Sequence, residues 1–138
     1  MPTSDPELIR ASFNLVAPQA EHIIDRFYDN LFETAPGVRS MFPDDMTQQK
    51  KHLLGSVGLI VKHADNLAAI SGALGDMGKR HARYGAQEAH YPVVRDVMLQ
   101  TLSEVAGDAW TEEIHGAWER ALNAVAGMML KGAQRLAA

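Results

Sequence analysis

His81, Tyr28 and Gln49 are the side chains of this 138-residue chain whose types and placement can do chemistry. The stretch Lys79-Arg80-His81-Ala82-Arg83-Tyr84-Gly85 sets one histidine near the end of an amphipathic segment, and His90-Tyr91-Pro92 then restarts a helix. Leu74, Met77 and His81 recur at spacings of three and four, so the imidazole points inward with them while Lys79, Arg80 and Arg83 face solvent. A buried neutral imidazole is costly without partners. Iron would satisfy one ring nitrogen, and a carbonyl one turn back, near Met77, would accept from the other and set the tautomer. Tyr28 and Gln49 place a hydroxyl and an amide on the inward faces of two other helices. Taken singly, each of the three is more often ordinary: a satisfied histidine, a core tyrosine, a solvated glutamine. Together they suggest one metal-ligating histidine facing a polar pocket across a flat cofactor.

Other chemistries are excluded or unsupported. The chain has no cysteine, which rules out disulfides, thiolate zinc sites, iron–sulfur clusters and a nucleophilic thiol. Histidines 22, 52, 63, 81, 90 and 115 never pair at i,i+4, so no self-contained helical zinc site is expected. No glycine-rich phosphate loop, Gly-x-Ser-x-Gly or His-Glu-x-x-His occurs. A formal charge of -4 without clustered Lys and Arg argues against a nucleic-acid surface. The composition, 46% apolar and 22% charged, suits one globular domain over residues 1–138. No N-terminal apolar region or long uncharged run is present, so neither a signal peptide nor a membrane span is expected. Absent cysteines fit a reducing compartment, and a cytoplasmic location is the expectation.

The elements that must position these residues read as helices. Ser4-Asp5-Pro6-Glu7 starts a helix with a cap, an early proline and a capping-box acid, running through Leu8, Phe13 and Val16 to about Ala17. Pro18 opens a second, on which Ile24, Phe27, Tyr28 and Leu31 share a face. Pro36 suggests a short turn-like helix ending near Met41-Phe42, and the acids of Phe42-Pro43-Asp44-Asp45 can cap the next helix. That long helix, from about Thr47 to Ala64, aligns Gln49, Leu53, Val57 and Ile60; Gln48 falls off that face. Asn66 to Tyr84 reads as one helix weakened by Gly72, Gly75 and Gly78 and stopped at Gly85. Tyr91, Val94, Met98, Leu102 and Val105 form the next face, ending at Gly107. Thr111 caps a last helix carrying Ile114, Trp118, Leu122, Val125 and Met129. Strand alternation, repeats and linkers are lacking, so the chain reads as all-α with six or seven helices.

Taken together, these motifs resemble the globins, and most closely the bacterial single-domain haemoglobins and the haem domains of flavohaemoglobins. Phe27-Tyr28-Asp29-Asn30-Leu31-Phe32 is similar to the second-helix motif of that group. Pro36 to Phe42 is similar to its short third helix, which ends in a haem-packing phenylalanine. Asn66-Leu67, His81 and His90-Tyr91-Pro92 also fit, and the likeness spans about residues 5–132.

The resemblance implies a three-over-three helical sandwich around haem b. His81 would be the proximal iron ligand and Tyr91 its proximal neighbour. Tyr28 and Gln49 would be the distal polar pair, the residues on which any catalysis would rest. Leu53 would lie over the iron, and Phe42, Val57, Met77 and Val94 would wall the porphyrin. It further implies diatomic gases (dioxygen, nitric oxide, carbon monoxide) as ligands.

One departure stands out: counting without gaps from Trp118, the late glutamate of flavohaemoglobins corresponds to Ala133, and no acid comes after Glu119. A carboxylate there would lend the histidine imidazolate character, so weaker peroxidase-like reactivity is expected. The chain ends at Ala138, so no fused reductase domain is expected either. Reversible dioxygen binding, for transport, storage or sensing, is the leading expectation. Nitric oxide detoxification by a dioxygenase with an external reductase is the alternative, and a haem-free regulatory domain is a third. Neither nucleic acid nor membrane is an expected partner, and the oligomeric state is open.

Overall fold

Local signals in the chain account for where each helix begins and stops. The computed structural model describes residues 4–137, with side chains through Gln134. Helix α1, Asp5–Val16, begins where the Ser4 Oγ accepts the Glu7 N–H at 3.3 Å, with Pro6 in its first turn. It buries Ile9, Ser12 and Val16, one residue per turn. Pro18 lies in a 3-10 turn, Ala17–Gln19, rather than at the head of the next helix, and α2 runs over Ala20–Thr34. Ala35 leaves helical geometry at φ -135 and ψ 73, because the ring of Pro36 crowds the residue before it. A second 3-10 turn, Pro36–Met41, delivers Phe42 in extended backbone.

Helix α3, Thr47–Lys62, has Met46 as its N-cap with no side-chain cap bond, so the loop acids do not cap it as expected. Instead the Asp45 Oδ1 accepts both the Thr47 N–H (3.0 Å) and the Thr47 hydroxyl (2.7 Å) in a turn just before it. The single helix expected over 66–84 is two elements. Asn66 is nonhelical at φ -155 and ψ 70, a 3-10 turn covers Leu67–Ile70, and α4 spans Ser71–Arg83. Three glycines in thirteen residues make this the weakest helix by propensity, so packing decides its bounds. Gly85, at φ 96, ends it in the left-handed region. Helix α5 covers His90–Ala106. The Thr111 Oγ1 then caps α6, Glu112–Ala137, by accepting the Ile114 N–H at 3.2 Å.

Six α-helices and no strand are found among the described residues. Helix α1 packs on α6, α3 and α5, α2 packs on α5 and α3, and the most extensive pair is α4 against α6. Their apolar faces form two clusters. The larger joins Ile9, Phe27, Leu31, Val61, Leu102 and Trp118 across α1, α2, α3, α5 and α6. The smaller joins Ile60, Ile70, Leu74, Val125 and Met129 between α4, α6 and the end of α3. Each fully buried aliphatic or aromatic side chain contributes about 1.5–3 kcal/mol.

Buried polar groups are matched. The Trp118 Nε1 donates to the Ser12 Oγ at 2.9 Å, and the Asn30 Nδ2 donates to the Thr101 Oγ1 at 3.0 Å. Thr101, fully buried, in turn donates to the Val97 carbonyl. On α5 the buried residues are Val97, Met98, Leu99, Thr101 and Leu102, while Val94 is 40% exposed. Among the described residues no helix is long and apolar enough to cross a membrane.

A candidate ligand site between two apolar clusters

On one side of the site, α2 and α3 bring Tyr28 and Gln49 into contact. Tyr28 is 4% exposed, and the Gln49 Nε2 donates to its hydroxyl oxygen at 3.2 Å. Gln48 is exposed, so the Gln49–Leu53–Val57 register is the one α3 adopts. Burial pushes the Tyr28 phenol above its ordinary value of 10, outweighing the opposing pull of the Gln49 hydrogen bond. The phenol therefore stays protonated at neutral pH. Its oxygen is held by Gln49 and its proton is free to be donated.

Three aromatic rings orient Tyr28. Phe27 and Phe42 meet it edge to face, at centroid distances of 5.1 and 5.7 Å, and Phe32 lies 5.8 Å away at a tilt. Phe42 and Leu53 are partly buried against the larger cluster, in which Val57 is fully included.

Sequence reasoning passed over the residues that brace this side. Arg39 donates to the carbonyls of Phe42 (3.3 Å), Pro43 (3.0 Å) and Asp44 (3.3 Å), and its guanidinium lies 5.2 Å from the Phe32 ring centroid. It thereby ties the loop that presents Phe42 to the helix that presents Tyr28. Lys50 pairs with Asp25 at 2.9 Å, joining α3 to α2 beside the Tyr28–Gln49 contact. An arginine between two phenylalanines was the only sequence sign of the first; the second has no local signature.

His81 and Tyr91 are carried by α4 and α5. The His81 Nδ1 lies 2.7 Å from the Met77 carbonyl oxygen. A carbonyl only accepts, so Nδ1 carries the proton and the lone pair of the neutral ring sits on Nε2. The ring is partly buried, and Nε2 makes no hydrogen bond to the described residues. Met77 and Tyr91 are partly buried against the smaller cluster, and burial raises the Tyr91 phenol above its ordinary value. Tyr28, Phe42, Leu53 and Val57 thus belong to one apolar cluster and Met77 and Tyr91 to the other. Val94 belongs to neither.

The donor set defines what fits. Among the described residues no cluster of three His, Asp or Glu side chains could hold an ion alone. A metal at His81 would therefore draw its remaining ligands from outside the described side chains. Phe42, Leu53, Met77, Tyr91 and Val94 all keep exposed apolar surface, which a flat, largely apolar group is suited to cover. The late α6 position expected to lack a carboxylate, Ala133, is partly buried. Among the described residues the Met77 carbonyl is the one hydrogen-bond acceptor of His81 Nδ1.

The family model described as Globin matches residues 25–129, a stretch that contains Tyr28, Gln49, His81 and Tyr91. Among curated proteins, the flavohemoprotein of Bacillus subtilis is 31% identical over 125 residues, covering 87% of this chain and 31% of that protein. Leghemoglobin-1 of Lupinus luteus is 29% identical over 136 residues, covering 86% of each. The chain spans about a third of the length of the flavohemoproteins it matches. Among solved structures, a bacterial globin from Campylobacter jejuni superposes with a TM-score of 0.85 over 96% of both chains, at 22% identity. An engineered carbene transferase, derived from a Rhodothermus marinus protein with a provisional nitric oxide dioxygenase assignment, superposes with a TM-score of 0.84. It is 30% identical and covers 96% of this chain and 94% of that one.

Proposed function

The chain belongs to the globin family, and on that premise we propose that it holds haem b at His81 and binds dioxygen reversibly against Tyr28 and Gln49. The observation that carries this reading is the arrangement of His81: Nδ1 is committed to the Met77 carbonyl, which leaves the Nε2 lone pair to ligate. Haem held there would supply an iron able to bind a diatomic gas. The Tyr28 hydroxyl is the donor for such a gas, because Gln49 already occupies its oxygen and burial keeps it protonated. Leu53, Val57 and Phe42 keep water from competing for that donor. A hydrogen bond made there contributes about 1–3 kcal/mol, roughly 5- to 150-fold in gas affinity. Dioxygen, nitric oxide and carbon monoxide are all ligands of this chemistry, and dioxygen gains most from a donor because it takes on the most negative charge.

A second reading, nitric oxide dioxygenation, is favoured by the likeness to flavohemoproteins and to the Rhodothermus marinus protein. Nitric oxide and dioxygen would combine to nitrate, and one electron from a separate reductase would complete each cycle. The same Tyr28–Gln49 donor pair serves both readings. A location in the cytoplasm suits either, since both require a supply of reductant.

Absorption spectra of the ferric, ferrous and dioxygen-exposed protein, expressed with haem supply, test the proposal. A Soret band that shifts reversibly on adding and removing dioxygen is the expected result. No Soret band at all would establish a haem-free helical domain instead. Nitrate formation that continues past one equivalent with a reductase present selects the dioxygenase reading; stopping at one equivalent selects the binding role.

A further inference from the structure

Helices α4 and α6 touch backbone to backbone, and the contact lies one turn before His81. A Cβ built on Gly78 would strike the Met129 carbonyl oxygen and come within 2.5 Å of the Met129 carbonyl carbon and 2.7 Å of its Cα. On Gly132 it would strike the Gly75 carbonyl oxygen, with the Gly75 carbonyl carbon at 2.5 Å and Cα at 2.6 Å. Ordinary helix pairs keep their axes about 8–10 Å apart because side chains stand between them, and only glycine allows a closer approach. Elsewhere the same helices make no such demand: a Cβ on Gly72 of α4 or Gly127 of α6 meets nothing within 4 Å.

The two contact points run antiparallel, Gly78 against Met129 and Gly75 against Gly132, and so fix the height of α4 along α6 as well as its distance. Leu74, fully buried with Val125 and Met129, extends the same seam. Met77, whose carbonyl sets the His81 tautomer, is the residue directly before Gly78. Anything that lifts Gly78 off Met129 moves that carbonyl, and with it the ring it orients. Little else fastens α4, which makes its principal contacts with α6.

We propose that Gly78 and Gly132 are positioning residues for His81, holding α4 at a distance and height that aim Nε2 into the ligand site. This rests on the reading of His81 as the axial ligand. Replacing either glycine by alanine forces the helices apart, tilts the His81 ring and changes the strain on its bond to the metal.

The test is resonance Raman spectroscopy of the ferrous, gas-free, haem-loaded full chain, which reports the iron–histidine stretching band directly. Gly78→Ala and Gly132→Ala are expected to shift and broaden that band, whereas Gly72→Ala and Gly127→Ala leave it at the wild-type position. A wild-type protein lacking the band overturns the His81 assignment and this proposal together. A wild-type band that Gly78→Ala and Gly132→Ala both leave unmoved overturns the positioning role alone. If neither variant folds, amide hydrogen exchange on the wild-type holoprotein decides. Residues 74–83 exchanging as slowly as 125–132 supports the lock, and faster exchange in 74–83 overturns it.

Discussion

Tyr28 carries the sharpest consequence at the scale of single residues, because burial and one hydrogen bond together define its state. Its oxygen accepts from Gln49 and its proton has no partner among the described residues, so in the proposed function a polarised gas molecule would be its acceptor. Tyr28→Phe is therefore expected to speed dioxygen release by roughly 5- to 150-fold, as read by stopped-flow displacement with carbon monoxide. A release rate equal to wild type would remove Tyr28 from its assigned role. Gln49→Leu should have a smaller effect in the same direction, since it loosens Tyr28 without deleting the donor. Because the Tyr28 phenol is raised above 10, the wild-type release rate should stay flat from about pH 7 to 9. A sigmoidal rise within that window would mean that another group controls release.

At the scale of elements, the helices differ in how they are anchored. Helix α1 is held to α6 by the bidentate Arg120–Asp5 pair (2.7 and 2.8 Å) and by the buried bond from the Trp118 indole to Ser12. The first is exposed and contributes little. The second is internal, and Ser12→Ala would leave a buried N–H without an acceptor at a cost of about 1–3 kcal/mol. Urea unfolding should show a lower midpoint with an unchanged slope; an unaltered midpoint would mean that the indole finds another partner. Among the described residues helix α4 has no comparable polar tie to α6, which it meets by backbone contact. The helices whose starts carry side-chain caps, at Ser4 and Thr111, begin where the sequence predicts, and so does α3, which follows the Asp45–Thr47 turn. The uncapped start of α4 does not: Asn66 and the three glycines left its register to packing.

The whole molecule joins these elements through carboxylates whose protonation weakens it. Hydrogen bonds from Arg120 to Asp5, from Thr47 to Asp45 and from Arg10 to Asp65 hold those carboxyls below 3.8. Burial opposes the same effect at Glu104, but bonds from Asn30, Arg26 and Gln100 outweigh it and keep that group below 4.5. Each folded-state value is depressed, so the unfolded chain binds more protons in acid. The stabilisation is complete above the ordinary carboxylate values and is lost as pH falls through the folded ones. Stability should thus decline modestly below about pH 4, since the pairs are solvent-screened, as followed by far-UV circular dichroism during acid titration. These contacts also tie α1 to the turn after α3 and to α6, and α2 to α5, so acid should loosen that frame.

Periodicity and caps in the sequence determined the all-α class, the inward faces of α2 and α3, and the candidacy of His81, Tyr28 and Gln49, because helical spacing is a local property of the chain. The sequence also showed which α3 glutamine shares a face with Leu53 and Val57. What only the tertiary structure decided is everything that requires two distant segments to meet. The Gln49–Tyr28 bond, the Arg39 brace on the Phe42 loop and the Asn30–Thr101 pair each join separate stretches of chain. The close crossing of α4 on α6 is the clearest case. Glycines that read as weak points in a lone helix become the points of closest approach between two, because what they lack in helix propensity they return as space for another backbone.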